Sequence, residues 1–312
     1  MGIPKSWAIP KFDIYDPSLI LYVPFWRPDM VSRGGSIVNG TGTMDVNPQG
    51  LAVGANTITA TGAGTFVIRP PYGGSCISGT AIITGSPVTL NAGVPTTVTA
   101  EGTGNFTVTP ANKIYSLDRT KHSLTITGAT WGYQGRNFDG NDDRIVLASN
   151  ITKGLTALSV IVWVNPTDKS ASHTLLGDFT SFTDFSLIFD VKDIAATGTY
   201  QNCVWLNGET ASYDVLLGNS TTHPYGQWAM MGFTWAPNTV SHYFNGESDG
   251  TDTYTDTQLE TTVTYNTTIG SYYPGAGGQN VLGMIGEVII YNRVLSAGEM
   301  MRLYQSLKWR YK

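Results

Sequence analysis

The chain has 312 residues, of which 13% are charged, and its formal net charge is -5 at pH 7. This net charge gives no general affinity for nucleic acid, which needs a clustered basic surface to displace counterions from phosphates, so we expect no nucleic-acid partner. The 36 glycines and 16 tyrosines, together with abundant threonine, favour short strands and tight turns over helices.

Disulfide frameworks and membrane spans are also disfavoured by the sequence. Cys76 and Cys203 lie far apart, and no cysteine spacing typical of a disulfide framework or metal site is present. The longest apolar runs, such as SLILYVPFW, are much shorter than the ~20 residues that span a bilayer. The N-terminal stretch MGIPKSWAIPKFD lacks the apolar core of a signal peptide. We therefore predict a protein made in a cytoplasm, with no membrane association.

The first part of the chain contains an internal repeat. A strand-like stretch, SLILYVPFWRPD (Ser18 to Asp29), is followed by residues 31–113, which carry five charged residues. Within this segment TITATGAGTFVIRP (Thr57 to Pro70) aligns with TVTAEGTGNFTVTP (Thr97 to Pro110), and each copy spans about 40 residues. Alternating residues predict two strands per copy, joined by a turn at the Gly-x-Gly. We predict that residues 31–113 form a small β module in which the two copies pack face to face.

The remainder, residues 1–30 and 114–312, is predicted to form a second all-β domain. Apolar and β-branched runs such as LSVIVWVNP and QWAMMGFTW recur between turn signals, a pattern typical of a sandwich or jelly roll. SAGEMMRLYQSLKW differs, because Ser296 and Glu299 form a capping box and apolar residues follow at helical spacing. The sequence therefore predicts a short C-terminal amphipathic helix on this domain.

A cluster of oxygen-bearing side chains lies within FDGNDD (Phe138 to Asp143). Asp139, Asn141, Asp142 and Asp143 are the residue types that bind hard cations such as calcium, which prefer several oxygen ligands from a loop. The same Asp-Gly and Asn-Asp pairs are equally typical of tight turns without a metal. We predict a structural turn with no cofactor, and keep a calcium site as the alternative.

A second acidic stretch, Glu247-x-Asp249-x-x-Asp252, raises the question of catalysis. Glycosidases that use two carboxyl groups place them about 5–9.5 Å apart in a cleft, and strand alternation can direct them to one side. Here the stretch follows Asn245-Gly246, a strong hairpin-turn signal, and Gly250 interrupts it. We predict a solvated hairpin turn and its flank, and no catalytic residue in the chain.

Three aromatic residues are candidates for ligand binding. Tyr272 and Tyr273 lie in the glycine-rich stretch SYYPGAGGQN, and Trp205 precedes an Asn-Gly turn. Aromatic residues exposed on loops are recognition candidates, because their faces offer apolar area for a ligand. Packing against a neighbouring loop or subunit is the alternative role for each of them.

Several strings, in chain order, resemble the laminin-G-like, concanavalin A-like jelly-roll family. They are FDGNDDRIVL, LSVIVWVNP, QWAMMGFTW, VSHYFNGE, TIGS and GMIGEVIIYNRVLSAGEMMRLY, and they cover most of residues 114–312. SLILYVPFWRPD resembles the first strand of such domains, which implies that residues 31–113 are inserted into a loop of the jelly roll. The family includes sugar-binding lectins, protein-binding modules and, more distantly, glycoside hydrolases, so the fold alone does not specify a function.

Members with this kind of start resemble proteins of tailed phages. The resemblance implies a non-enzymatic virion structural protein, as a capsid decoration, head fibre or tail-associated adhesin. Its expected partners are other virion proteins, in a homo-oligomer or lattice, and host-surface glycans. A carbohydrate-binding lectin module is the first alternative, and a glycoside hydrolase is the second.

Overall fold

The computed structural model describes the larger part of the chain. The described residues are 13–27, 35–37, 42–46, 55–69, 77–81, 88–91, 96–109, 113–168, 171–194, 198–209, 213–218, 223–273 and 279–312. The chain divides into two compact units. One consists of Met1–Pro24, Ser116–His122 and Thr127–Lys312, and the other of Phe25–Tyr115 and Ser123–Ile126. The predicted module boundaries, and the insertion that they imply, stay a prediction.

Strands dominate both units of the described chain. They are β1 (Leu19–Pro24), β2 (Gly35–Ile37), β3 (Gly42–Val46), β4 (Ala55–Arg69), β5 (Ile77–Ala81), β6 (Val88–Asn91), β7 (Thr96–Thr109), β8 (Lys113–Tyr115), β9 (Ser123–Thr127), β10 (Thr130–Gly132), β11 (Gly135–Asp139), β12 (Arg144–Leu147), β13 (Leu158–Pro166), β14 (His173–Gly177), β15 (Leu187–Ile194), β16 (Thr199–Leu206), β17 (Asp214–Leu217), β18 (His223–Pro224), β19 (Ala229–Ala236), β20 (Thr239–Phe244), β21 (Glu247–Asp252), β22 (Thr268–Ile269) and β23 (Leu282–Tyr291).

The larger unit is a sandwich of two antiparallel sheets. The first sheet runs in the order β10-β11-β23-β13-β19-β20-β21, with β1 also paired to β23. The second contains β17-β16-β15-β14-β22-β12, with β18 paired to β16. Phe233 of β19 and Phe189 of β15 meet between the sheets, with ring centroids 5.2 Å apart. The predicted all-β jelly-roll fold is confirmed.

The C-terminal helix covers the outer face of the first sheet. α1 (Ala297–Leu307) begins at Ser296, whose hydroxyl accepts a hydrogen bond from the Glu299 amide, and the Glu299 carboxylate accepts one from the Ser296 amide. Both halves of the predicted capping box are therefore present. Beyond α1, Tyr311 of a 3-10 turn (Lys308–Tyr311) stacks on Trp163 of β13, with centroids 4.3 Å apart. This cover explains why β13 is apolar on both faces.

The repeat forms a single sheet in a way that the sequence did not indicate. β4 runs without a break through the Gly-x-Gly, where we predicted a turn, and pairs antiparallel with β7 from Thr57↔Thr109 to Arg69↔Thr97. β2 and β3 pair with β7, whereas β5 and β6 pair with β4. The predicted turn and the face-to-face arrangement are both wrong. Side-by-side pairing satisfies the backbone groups of two long strands at once, and glycines are tolerated within it.

None of the helices in the described part of the chain has the length and apolar character needed to cross a lipid bilayer.

Candidate functional site

The second sheet of the sandwich presents a set of outward-facing side chains on β15 and β16. Successive strand residues point to opposite faces, so Phe189, which contacts the other sheet, faces inward. Its neighbours Ile188 and Asp190 therefore face outward. Ile188 pairs with Trp205 of β16, and Asp190 pairs with Cys203, so these side chains share the outer face.

A pocket of about 260 Å³ lies on this outer face. It is lined by Phe179, Phe182, Ile188, Asp190, Trp205, Tyr272 and Gln279. The sheet contributes Ile188, Asp190 and Trp205, and the loops that follow β14 and β22 contribute the rest. Its lining is predominantly aromatic with a small number of polar groups, which is typical of small-molecule sites.

Three rings beside the pocket are nearly parallel, and we call Phe182, Trp205 and Tyr213 the aromatic platform. Their centroids are 5.2 Å apart for Phe182 and Tyr213, 6.0 Å for Trp205 and Tyr213, and 6.4 Å for Phe182 and Trp205. The interplanar angles lie between 17° and 28°. Phe182 is 53% exposed and Tyr213 is 37% exposed. Large apolar rings that remain exposed in this way mark an interaction surface.

The opposite wall of the pocket is held in place by the backbone. Phe179 meets Tyr272 edge to face, with centroids 5.0 Å apart, and its amide donates to the Tyr272 carbonyl over 2.8 Å. Gly177, at the end of β14, lies directly beneath Tyr272. A β-carbon at position 177 would lie 2.9 Å from the Tyr272 α-carbon, closer than real side chains approach. Glycine at this position therefore sets the distance between Tyr272 and the sheet.

Two polar side chains complete the lining. Asp190 is 3% exposed and offers a carboxylate on the sheet side of the pocket. Gln279 is exposed at the rim, where its amide can donate and accept hydrogen bonds. Its backbone carbonyl accepts from the Thr174 amide of β14 over 2.8 Å, which fixes this end of the loop to the sheet. A flat ligand can therefore stack on the aromatic rings of the pocket and form hydrogen bonds along its edge with the polar part of the lining.

The structure brings two of the three predicted ligand-binding residues together. Trp205 and Tyr272 line the same pocket although they are 67 positions apart in the sequence (272 − 205). Tyr273 does not line it, and its ring lies against Tyr265, with centroids 5.7 Å apart. A binding role for each of the three residues stays a prediction.

Sequence reasoning missed the remaining aromatic residues of the site and its carboxylate. Phe179 and Phe182 lie in the stretch GDFTSFTDFS, where aromatic residues among serine, threonine and aspartate were an available signal of exposure. Asp190 lies within the strand pattern FSLIFDV, where its outward direction became evident only from the register with β16.

The acidic stretch on β21 is a hairpin strand, as predicted, but it is not solvated throughout. Asn245 and Gly246 have positive φ values of 51° and 82° and connect Phe244 to its partner Glu247 in a two-residue turn. Asp249, however, is 6% exposed. Solvation of the whole stretch is therefore wrong, because the irregular register of β20 and β21 turns Asp249 inward.

Two acids of β21 lie close to histidines. Asp249 lies 3.6 Å from Nε2 of His223, and Asp252 lies 3.3 Å from Nε2 of His242. Burial lowers the pKa of His242, and the nearby Asp252 carboxylate opposes that shift in part. None of these residues lines the aromatic pocket. The pairs are explained by packing at the sandwich edge.

The predicted metal cluster is present as a set of carboxylates between β11 and β12. One oxygen each from Asp139, Asp142 and Asp143 lies within 4.8 Å of the others, a separation that suits a hard cation. The backbone amide and the side-chain amide of Asn141 donate hydrogen bonds to the two oxygens of Asp139. Each oxygen of the Asp139 carboxylate is therefore already an acceptor within the turn. The Asp139 pKa is lowered mainly by the bond from the Asn141 amide. The turn is therefore complete without an ion, and a calcium site stays the alternative.

The comparisons with known proteins concern the sandwich. Residues 139–300 match the family described as the concanavalin A-like lectin/glucanases superfamily, Laminin_G_3. No curated protein sequence matches the chain.

Several solved structures are similar to part of the chain. The Botulinum neurotoxin serotype D ligand binding domain in complex with N-acetylneuraminic acid is 13% identical, with a TM-score of 0.48 over 63% of this chain and 49% of that one. A heptameric SAP-like pentraxin from Limulus polyphemus is 17% identical, with a TM-score of 0.42 over 53% of this chain and 78% of that one. The Ruminococcus gnavus IT-sialidase CBM40 bound to alpha2,3 sialyllactose is 16% identical, with a TM-score of 0.40 over 48% and 84%. The chain thus spans about half of the length of the toxin domain.

Proposed function

Since the chain belongs to the concanavalin A-like lectin/glucanases superfamily, in which the fold leaves the ligand open, we propose a function from the pocket itself. We propose that the protein is a non-enzymatic carbohydrate-binding protein. The observation that supports this most directly is the aromatic platform, which stands beside a buried carboxylate and a rim amide. The ligand stacks on the rings, and its polar edge lies against the polar part of the lining.

Sugar rings suit such a surface for a physical reason. One face of a pyranose presents C–H groups, while its edge presents hydroxyl groups. Packing the C–H face on exposed rings removes apolar area from water, which contributes about 25 cal/mol per Å² buried. A pocket of about 260 Å³ lies just below the usual range of roughly 300–1,000 Å³ for small-molecule sites. We therefore expect a single sugar unit to be held, with the rest of any chain outside.

The absence of catalysis is proposed from the carboxyl groups of the pocket. Glycosidases that use a carboxyl pair hold the two groups about 5–5.5 Å or 6.5–9.5 Å apart on either side of the bond that they break. Among the described residues that line the pocket, Asp190 is the sole carboxylate. A single acid can accept hydrogen bonds from a sugar, but it does not supply the acid and base pair.

The test is a glycan-array screen of the parent protein and two variants. We expect Trp205→Ala to lose about tenfold or more in affinity, because it removes the largest ring of the aromatic platform. Trp309→Ala is the matched control, since it removes an exposed tryptophan of the C-terminal 3-10 turn that does not line the pocket. A parent protein that binds no glycan, or a Trp205→Ala variant that binds like the parent, contradicts the proposal.

A role in a virus particle is proposed from the resemblance of the sequence alone. We propose that the protein is a decoration, head-fibre or tail-associated adhesin component, contacting other virion proteins as a homo-oligomer or lattice and host glycans through the pocket. Mass spectrometry of density-purified particles tests this. We expect the chain to copurify with particles at a fixed stoichiometry, and its presence solely in the soluble fraction contradicts the role.

A further inference from the structure

The apolar part of the pocket bears on which sugars it accepts. We infer that the pocket selects sugars that carry a methyl group, on an acetamido substituent or in a 6-deoxy position, over the same sugars with CH₂OH in its place. The inference rests on the proposed carbohydrate-binding function and makes that function more specific. Three features support it: an aliphatic side chain on the sheet, the rings around it, and the position of the polar groups.

Ile188 is the aliphatic side chain on the sheet side of the pocket. It lies on β15 between Leu187 and Phe189, which are both buried in the sandwich, so the alternation of the strand directs Ile188 to the outer face. Its partner across the ladder is Trp205 of β16. Ile188 is nevertheless only 5% exposed, because neighbouring side chains cover it. A ligand that enters the pocket therefore meets an aliphatic surface on the sheet.

Four aromatic rings form a continuous wall beside Ile188. Tyr272 meets Phe179 edge to face, with centroids 5.0 Å apart, and Phe179 meets Phe182 in the same way over 5.3 Å. Phe182 in turn lies nearly parallel to Trp205, with centroids 6.4 Å apart. All four rings line the pocket together with Ile188. A hydroxyl group placed against their carbon atoms loses hydrogen bonds to water, whereas a methyl group has none to lose.

The two polar residues of the lining are not equally available to a ligand. Asp190 is 3% exposed and already interacts with another group of the chain. Gln279 is exposed at the rim, where its side-chain amide can donate and accept hydrogen bonds. The polar contact of the ligand is therefore with Gln279, and its apolar contact is with Ile188 and the rings. An acetamido group offers both parts at once, since its N–H and C=O lie next to its methyl group.

The aromatic platform lets a sugar present such a group to the pocket. A pyranose whose C–H face stacks on the platform can direct one substituent into the pocket, onto Ile188. Burying a methyl group there removes its own apolar area and that of Ile188 from water. One such group in a hydrophobic pocket changes affinity by about tenfold to two-hundredfold.

The experiment uses sugar pairs that differ by one hydroxyl group on the methyl carbon. The acetamido arm compares the N-acetyl and N-glycolyl forms of glucosamine and of galactosamine. The 6-deoxy arm compares L-fucose with L-galactose and L-rhamnose with L-mannose. Binding to the full-length chain is measured by calorimetry. We expect the methyl-bearing sugar to bind about tenfold or more tightly than its partner in one arm, and the arm in which it does so identifies the source of the methyl group.

Ile188→Val and Ile188→Thr are a matched pair of variants, because valine and threonine have the same shape and differ in a methyl against a hydroxyl group. Ile188→Val should keep the preference to within about threefold of the parent value. Ile188→Thr should reduce it to about threefold or less, because its hydroxyl group can bond to that of the ligand. Val215→Thr is the control, since it adds the same hydroxyl group on the outer face of β17, outside the lining, and should change nothing.

The comparison of sugars in the parent protein decides the inference independently of the variants. A parent protein that binds glycans, but prefers the methyl-bearing sugar in neither arm, overturns the inference while leaving carbohydrate binding intact. A parent protein that binds none of these sugars, nor any glycan on the array, overturns the proposed function itself. A preference that persists undiminished in a folded Ile188→Thr variant overturns the assignment of the methyl group to Ile188.

Discussion

His242 of β20 is the most completely enclosed titratable residue of the two histidine–aspartate pairs that involve β21. Its side chain has no exposed surface, and the Asp252 carboxylate lies 3.3 Å away. Asp249 of the same strand lies close to His223, whose ring stacks on Phe244. Burial disfavours a charged imidazole, so the pKa of His242 lies below its ordinary value of about 6.5. The folded protein therefore prefers the neutral ring.

This preference predicts a stability that depends on pH. His242 takes up a proton at a lower pH in the folded state than in the unfolded chain, so its neutral ring contributes fully to the free energy of unfolding above about pH 6.5. This contribution is lost as the pH falls through about 6.5 toward the lowered pKa of His242 in the folded state. We expect the urea midpoint of the parent protein to fall more between pH 7.5 and pH 5.5 than that of His242→Gln.

The comparison with His242→Gln is needed because carboxylates also titrate in this range. Because His242→Gln keeps every carboxylate, the difference between the two curves reports the imidazole alone. Identical losses of stability in the parent and in His242→Gln would contradict a lowered pKa for His242.

At the scale of elements, the turn between β11 and β12 depends on its own hydrogen bonds. Asn141 donates to both oxygens of Asp139, and the Asp139 amide donates to the Asp143 carboxylate over 2.8 Å. Asp143 has a raised pKa because it is partly buried, and the charges of Asp139 and Asp142 add to that effect. The two hydrogen bonds from Asn141 give the turn its shape. A bound cation would relieve the repulsion between the carboxylates of Asp139, Asp142 and Asp143.

We predict that calcium leaves the stability of the protein unchanged. Because the Asp139 oxygens are already bonded, the melting temperature with excess EDTA should match that with millimolar calcium to within about 1 °C. Asp142→Asn, which removes the exposed acid of the cluster, reports whether an ion is involved. A calcium-dependent rise in melting temperature that disappears in Asp142→Asn would establish the alternative of a metal site.

Features that depend on neighbours in the sequence were predictable, and features that depend on distant pairing were not. The capping box at Ser296 and the hairpin at Asn245-Gly246 are determined within a few residues, and both are confirmed. The Gly-x-Gly of the repeat is also a local signal, but pairing along the whole of β4 and β7 overrides it. The residues of the pocket divide in the same way. Trp205 and Tyr272 could be selected from the turn and glycine-rich residues next to them in the sequence. The position of Asp190 in the pocket follows from the register of β15 and β16, which the sequence does not indicate.

At the scale of the whole molecule, the described residues that line the aromatic pocket belong to the sandwich. Its lining comes from the segment between β14 and β17 and from the loop before β23. None of the described residues of that lining belongs to residues 31–113, which the sequence predicts to be a separate module. We therefore expect the proposed carbohydrate binding to be separable from the module, as for a domain inserted at a loop.

We predict that a chain in which a short Gly/Ser linker replaces residues 31–113 still folds and retains its ligand. It should unfold in one cooperative transition and bind the same glycans as the parent to within about threefold. Circular dichroism and calorimetry measure the two properties. A shortened chain that is folded but no longer binds would show that the module contributes to recognition, and one that does not fold would contradict the predicted insertion.

The pairing of β4 with β7 has a consequence for the symmetry of the repeat. The two strands are related by an approximate two-fold axis through Ala63 and Thr103, so that Gly62 faces Gly104 and Gly64 faces Gly102. Each copy thus gives its long strand the partner that the other copy needs. A polypeptide with one copy would expose an unpaired strand edge, and that edge would pair with the same edge of a second molecule. The tandem arrangement therefore has the internal symmetry of a dimer whose two halves are joined in one chain.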